Sequence, residues 1–186
     1  MAPADTSLNK NELTIRLSTD GFSYVLVPAP LYQEDKKEKY LDFLGVNKEN
    51  QVICSDYIEV ADIYNVYCVQ KSEKNAPRHA TSVLLENLIK ENSERTDDPR
   101  IYLNVKDQHF EMFVLKGAKL LFYNTFRFKT KEDFLYFLLF SMEQLKLDAE
   151  IVPVYFMGMI MEDSKIVELV SRYIRDVRFK KELRCE

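Results

Sequence analysis

The stretch IYLNVKDQHFEMFVLKGAKLLFYNTFRF, residues 101–128, determines the architecture because it contains three strand patterns joined by short turns. Apolar residues alternate with others through its first five positions, which is typical of a strand with one buried face. Polar residues 106–108 then predict a turn, residues 110–115 a returning strand, and Gly117 a second turn before a third strand over 119–128. The sequence therefore predicts an antiparallel three-stranded meander.

Helices and one more strand follow the meander. Thr130 and Asp133 have the spacing of a capping box at the start of a helix. Residues 134–145 leave that helix almost no polar face, which predicts burial on several sides. A mostly apolar strand over 152–158 and a helix with a regular apolar stripe over 164–177 complete the pattern. The order β-β-β-α-β-α predicts an α/β protein of the α+β type, with a mixed sheet and helices packed on it.

A shorter set of elements precedes the meander. Alternating residues 13–17, the turn pair Asp20-Gly21 and residues 22–27 predict a hairpin. The other predicted elements are a helix over 33–44 that stops at Gly45, strands at 52–54 and 66–69, and a helix capped by Thr81 or Ser82.

The most polar decapeptide of the chain, ENSERTDDPR at 91–100, marks the predicted domain boundary. We expect an abbreviated first lobe over residues 12–92 and a second lobe over 100–178. A chain of 186 residues is long enough for two such small lobes.

Composition narrows the functional classes. A net charge of −4 does not favour binding of a polyanion such as nucleic acid. The basic residues at 172–184 are interpreted as cations at the end of the last helix, where the helix dipole favours them. Three widely spaced cysteines, the polar N-terminal residues and the lack of any apolar stretch of membrane-spanning length predict a cytoplasmic protein without a membrane span.

Three segments carry a family resemblance: LTIRLSTDGFSY near the start, residues 101–145, and VYFMGMI near the end. They resemble an uncharacterised Bacteroidetes family, the proteins with domain of unknown function 3822. The resemblance implies an actin-like ATPase fold, in which two ribonuclease-H-like units flank a nucleotide cleft. The hairpin before Pro28 is short for a complete first unit, so either the first lobe is abbreviated or residues near Tyr24 and Val25 are missing relative to the family.

The resemblance also says where a nucleotide site would lie. Working actin-like ATPases place an acidic residue and glycines in a strand–turn–strand hairpin of each lobe, so that backbone N–H groups approach the phosphates. In the first hairpin only Asp20 and Gly21 fit this pattern, and an Asp-Gly pair is also an ordinary tight turn. In the second hairpin Asn104 replaces the acid and Lys106 replaces a glycine, while the later turn keeps only Gly158. These five residues are the nucleotide-site candidates, and they argue against tight ATP hydrolysis.

Other chemistries have weaker support in the sequence. The two histidines, His79 and His109, lack the spacing of zinc ligands. We interpret the remaining carboxylates as exposed side chains rather than a nuclease metal site. These carboxylates are Glu111, Glu143, Glu162 and Asp163.

The sequence leaves two main hypotheses. The first is a non-catalytic protein that binds a protein partner or an unknown ligand between its lobes and needs no cofactor. The second is a divergent nucleotide-binding protein with weak ATPase activity, which would use ATP and magnesium with Asp20, Gly21, Lys106 and Gly158. A nucleic-acid enzyme is a third and weaker possibility.

Overall fold

The computed structural model describes residues 14–15, 24–41, 51–71, 78–93 and 97–180. These residues form nine strands and four α-helices. The strands are β1 (Thr14–Ile15), β2 (Tyr24–Pro28), β3 (Gln51–Ile58), β4 (Ile63–Gln70), β5 (Pro99–Val105), β6 (His109–Lys116), β7 (Lys119–Arg127), β8 (Val154–Gly158) and β9 (Val177–Phe179). The helices are α1 (Lys37–Leu41), α2 (Ala80–Ser93), α3 (Lys131–Gln144) and α4 (Lys165–Val170), and short 3-10 turns precede α1 and connect β3 to β4.

The larger sheet, called sheet A, has the strand order β1-β7-β6-β5-β8-β9. Strands β5, β6 and β7 pair antiparallel, as the meander predicts. Strand β8 pairs parallel with β5, and β9 pairs parallel with β8. The predicted mixed α/β fold and its β-β-β-α-β-α order are therefore confirmed, with β9 added after the last helix.

Helices α3 and α4 pack on one face of sheet A. The Thr130 hydroxyl accepts a hydrogen bond from the Asp133 amide, and the Asp133 carboxylate accepts one from the Thr130 amide, so the predicted capping box starts α3. The core below α3 contains buried residues such as Phe110, Phe134 and Phe156. Phe134 lies 4.2 Å from Phe110 between ring centroids.

The other face of sheet A packs against α2 and the smaller sheet, called sheet B. A second core joins Leu26 and Ile58 of sheet B, Leu85 of α2, and Phe113 and Tyr155 of sheet A. Since α2 belongs to the predicted first lobe by sequence, the two predicted lobes share this core.

Sheet B has the order β2-β4-β3 and is antiparallel throughout. The strands predicted at 52–54 and 66–69 lie inside β3 and β4, which form one long hairpin. The described parts of the predicted hairpin of residues 13–17 and 22–27 do not pair with each other, because β1 pairs parallel with β7 and β2 pairs with β4, while its turn at Asp20-Gly21 lies outside the described residues. Local alternation predicts strands, but it does not specify which distant strand each one pairs with. The predicted stop at Gly45 lies outside the described residues.

Two helix predictions are also corrected. Helix α2 begins after His79 rather than at Thr81 or Ser82, and both of those side chains are buried inside its first turn. The last helix is much shorter than the predicted 164–177, because α4 ends at Val170. Val177 pairs with Val154 of β8 instead of continuing the helix.

Within the described ranges, no helix is both long enough and apolar enough to cross a membrane.

Candidate functional site

Three of the five nucleotide-site candidates lie together at one edge of sheet A. Asn104 is near the end of β5, Lys106 follows that strand, and Gly158 ends β8. Because β5 and β8 are parallel and Val105 is paired with Gly158, the ends of both strands meet at this edge. Ligands of open α/β sheets commonly bind at such carboxyl ends. The other two candidates, Asp20 and Gly21, lie outside the described residues.

Gly158 is needed for close packing at this edge. Its φ of +83° lies in the left-handed region that favours glycine. A Cβ atom at this position would clash with the Val105 carbonyl oxygen and would lie 2.6 Å from Oδ1 of Asn104. The strand ends therefore fill the space beside this glycine with the chain's own atoms.

The centre of the site is the side chain of Glu111, which is completely buried in β6. Asn104 is its direct neighbour on β5, and Thr125 is its neighbour on β7. Five side chains bring donors to its carboxylate, and together with Glu111 they are called the Glu111 cluster. On Oε1 the donors are the hydroxyls of Tyr24 at 2.5 Å, Thr81 at 2.7 Å and Tyr123 at 3.0 Å, and on Oε2 they are Nδ2 of Asn104 at 2.7 Å and Nζ of Lys106 at 3.1 Å.

These donors keep Glu111 ionised. Burial favours the neutral acid, but the Lys106 ammonium and the hydroxyl donors favour the carboxylate more strongly, so the pKa of Glu111 lies below its usual value. Burial, and then the Glu111 charge, raise the pKa values of Tyr24 and Tyr123. Both phenols therefore remain protonated and able to donate. The Tyr24 and Tyr123 hydroxyls also contact each other.

The Glu111 cluster connects the two sheets. Tyr24 comes from β2 of sheet B and Thr81 comes from α2, whereas the remaining donors come from sheet A or the residue after β5. One buried carboxylate thus joins strands that the sequence places about 90 residues apart.

A second polar group lies beside the cluster around His79. Its ring packs between Tyr24, at 4.7 Å, and Tyr67, at 4.9 Å between centroids. Its Nδ1 accepts from the Thr81 amide at 3.2 Å, so His79 caps α2 in its neutral form. Asp56 accepts from the His79 amide at 2.8 Å and from the Tyr67 hydroxyl at 3.1 Å.

Burial lowers the pKa of His79 below its usual value of 6.5. The pKa of Tyr67 is raised to about 12 by burial and then by the charge of Asp56. The packed rings of Tyr24, His79 and Tyr67 therefore carry no positive charge at neutral pH and offer no cation to an incoming phosphate.

The chemistry of the Glu111 cluster is that of a structural junction. A carboxylate that already accepts from five donors has little remaining capacity for a metal ion. Across the described residues, no group of three histidine, cysteine or acidic side chains is placed to hold a metal. Lys106, which the sequence offers as a phosphate contact, is paired with Glu111.

Sequence reasoning missed the residue at the centre of this site. Glu111 was expected to be exposed, and that expectation is wrong because β6 is an inner strand of a sheet covered on both faces. The alternation of the meander contained a signal, since Glu111 lies opposite Asn104 once the two strands are paired. Glu143, Glu162 and Asp163 are exposed, as expected.

The fold places this chain among proteins with an actin-like ATPase fold. A crystal structure from Bacteroides thetaiotaomicron VPI-5482, described as a protein with actin-like ATPase fold and unknown function, is similar with a TM-score of 0.71 at 18% identity. The similarity covers 85% of this chain and 65% of that one, so this chain spans less than two thirds of that structure. A PilM–PilN type IV pilus biogenesis complex is similar with a TM-score of 0.52 at 12% identity, covering 86% of this chain and 66% of that one. At these identities the likeness establishes the actin-like fold alone.

The particular family follows from the sequence. Residues 4–177 match the family model described as a protein of unknown function, DUF3822, and the chain belongs to that family. No protein with a curated description matches the chain.

Proposed function

We propose that this protein is a non-catalytic binding protein on an actin-like scaffold, which binds a protein partner or an unknown ligand. The observation that carries the proposal is the Glu111 cluster, which occupies the sheet edge where an actin-like ATPase would hold phosphate. The fold by itself does not assign a function.

The negative charge of Glu111 supports a role that does not involve phosphate binding at this site. The carboxylate of Glu111 is ionised and buried, so it repels a phosphate that approaches the ends of β5 and β8. Lys106 already pairs with the buried Glu111, so a phosphate would compete with that carboxylate for the ammonium. Drawing Lys106 away would remove the one charged partner of a buried carboxylate, which is unfavourable.

Packing at Gly158 supports the same conclusion. A glycine in an adenosine-binding turn provides space for a ligand, whereas the space here is occupied by the Val105 carbonyl and the Asn104 side chain. The site therefore favours contact between strands over contact with a nucleotide.

The setting of the proposed function follows from the same observations. We propose that residues 100–178 form a ribonuclease-H-like lobe, that residues 12–92 form an abbreviated first lobe, and that the protein acts in the bacterial cytoplasm. The element order β-β-β-α-β-α supports the first point, and the source of the similar Bacteroides structure supports a bacterial origin. The similar PilM–PilN structure is itself a complex, which supports a partner-binding role for such a scaffold.

Calorimetric titration with ATP and magnesium tests the proposal. We expect no binding by the wild-type protein with a Kd below about 100 μM, which corresponds to roughly 5.5 kcal/mol. Lys106→Met is the comparison variant, and we expect it to behave like the wild type in this titration. Micromolar binding that is lost in Asp20→Ala and Lys106→Met would refute the proposal and support the divergent nucleotide-binding alternative.

A further inference from the structure

Strand β3 is an edge of sheet B, because β4 is its one neighbour among the described strands. It has eight residues, and its register with β4 runs without a bulge. The other edge strands are shorter: β1 has two residues, β9 has three, and β2 has five and ends in Pro28. Natural proteins protect edge strands by lysine, proline, bulges or short length, and the sequence of β3, QVICSDYI, has none of these. This edge is therefore a template for another strand.

Alternate residues of β3 turn their backbone groups away from β4. The Ala29 amide donates to the Asp62 carbonyl, so Asp62 faces β2 and the next residue, Ile63, faces β3. Alternation along the ladder then turns four residues of β3 outward: Gln51, Ile53, Ser55 and Tyr57. In agreement, the Tyr57 carbonyl accepts from Nη2 of the Arg78 side chain at 3.4 Å. Across the described residues, no backbone group outside β4 bonds to β3.

The side chains of this edge carry no charge that is open to a partner. Asp56 is the single charged residue of β3, and its carboxylate already accepts from the His79 amide and the Tyr67 hydroxyl. The Ser55 hydroxyl accepts from the hydroxyl of Tyr32 at 3.0 Å. The edge therefore gives no electrostatic preference for a charged foreign strand.

We propose that β3 pairs antiparallel with β3 of a second copy of this chain, so that two copies of sheet B join into one continuous sheet. The two-fold axis passes beside Cys54, and both copies use the same surface, as in other closed dimers. The opposed residues are Gln51 with Tyr57, Val52 with Asp56, Ile53 with Ser55, and Cys54 with its own equivalent.

Backbone geometry selects both the register and the second copy. In an antiparallel pair, opposed residues either both face each other or both face away. Pairing about Cys54 is the one antiparallel register in which all four outward residues of each copy find an outward partner in the other. It also places Asp56 opposite Val52, so no like charges are opposed. A second copy therefore matches the edge in length, hydrogen bonding and charge.

The contacts that surround the edge are compatible with this pairing. Arg78 gives up its 3.4 Å contact with the Tyr57 carbonyl, which the Gln51 amide of the second copy replaces, and keeps its ion pair with Glu86 at 2.6 Å. The edge belongs to sheet B, whereas the ends of β5 and β8 belong to sheet A. The dimer is therefore separate from the proposed binding role, and the ATP titration does not decide it.

Disulfide cross-linking at the two-fold axis tests the register. Opposed residues of the kind formed by the two Cys54 residues have Cα atoms about 4.5 Å apart, within the range of a disulfide. Cys68→Ser with Cys185→Ser leaves Cys54 as the one cysteine of the chain. Diamide should link two copies, because it takes two protons and two electrons from the two thiols and becomes the hydrazine. In a variant whose one cysteine comes from Val52→Cys, equivalent residues lie about 13 Å apart and should not link.

Light scattering of the unmodified protein tests the dimer itself, with an expected mass of twice the 22.0 kDa of the chain. Ser55→Pro removes an outward amide and should raise the dimer Kd by about tenfold or more. Ser55→Ala loses the contact with Tyr32 but keeps the amide, so it should remain dimeric.

Three outcomes would overturn the inference. They are a monomeric wild-type protein, cross-linking through Val52→Cys as efficient as through Cys54, or a dimer that is equally tight in Ser55→Pro and Ser55→Ala. Circular dichroism of each variant confirms that the fold is retained. If Ser55→Pro does not fold, the cross-linking comparison decides the question, because it leaves the backbone of β3 unchanged.

Discussion

Glu111 is the residue on which the two sheets depend. A buried carboxylate is stable only when charged or polar partners compensate it, and here three hydroxyls, one amide and one ammonium do so. Replacing one carboxylate oxygen by an amide nitrogen leaves the donors of Asn104 and Lys106 without an acceptor.

We expect Glu111→Gln to lower the free energy of unfolding by about 3 kcal/mol, because an amide nitrogen cannot accept from Asn104 and Lys106. Urea unfolding followed by circular dichroism measures the change. Glu143→Gln is the control, since Glu143 is exposed, and it should change stability by less than about 0.5 kcal/mol. Equal effects of the two variants would contradict the structural role of the Glu111 cluster.

The pH dependence of stability reports on His79. Its pKa is lowered in the folded protein, so the unfolded chain takes up a proton first as the pH falls. Stability should therefore decrease as the pH drops below about 6.5, down to the folded pKa. His79→Asn keeps a capping acceptor but does not titrate, and it should show a smaller decrease in urea midpoint between pH 7 and pH 5.

The pKa of His109 is also lowered, so some dependence should remain in His79→Asn. An unchanged pH profile in this variant would show that His79 does not couple protonation to unfolding.

Residue-scale prediction from the sequence was partly successful. The sequence placed Asn104, Lys106 and Gly158 correctly at strand ends, because strand alternation and turn residues are local signals. It did not identify the burial of Glu111 or its contact with Tyr24, since that contact joins residues 87 positions apart. Such a contact depends on the pairing of whole sheets.

At the scale of single elements, the start of α3 was predicted correctly and the end of α4 was not. The capping box of α3 was predicted because both partners lie within four residues. The apolar stripe of residues 164–177 was misread as one helix, because helical spacing also fits α4 followed by a turn and β9. Ile174 keeps its predicted burial although it lies outside the helix.

The turn after β8 provides a prediction at this scale. Gly158→Ala should lower the free energy of unfolding by roughly 2 kcal/mol or more, because the residue has positive φ and its Cβ would clash with the Val105 carbonyl. Gly117→Ala is a matched comparison, with φ of +55° and, among the described residues, only the Asp97 side chain near the new Cβ. Thermal unfolding should show the smaller loss for Gly117→Ala, and the reverse order would contradict the described packing at Gly158.

At the scale of the whole molecule, two cores lie on opposite faces of sheet A. One core packs the sheet against α3 and α4, and the other packs it against α2 and sheet B. The class of fold was predictable, because the meander and the following elements are close in sequence. The sharing of a core between the predicted lobes was not, because it depends on contacts across more than 80 residues such as that of Tyr24 with Glu111.

The proposed function depends on the closure, by the chain's own side chains, of the sheet edge at which an actin-like ATPase holds phosphate. A crystal structure grown with magnesium and a non-hydrolysable ATP analogue tests this closure. We expect Lys106 and Asn104 to remain on Glu111, with no nucleotide density against Gly158. Density for the triphosphate at Gly158, with Lys106 turned from Glu111 towards a phosphate, would contradict the proposal.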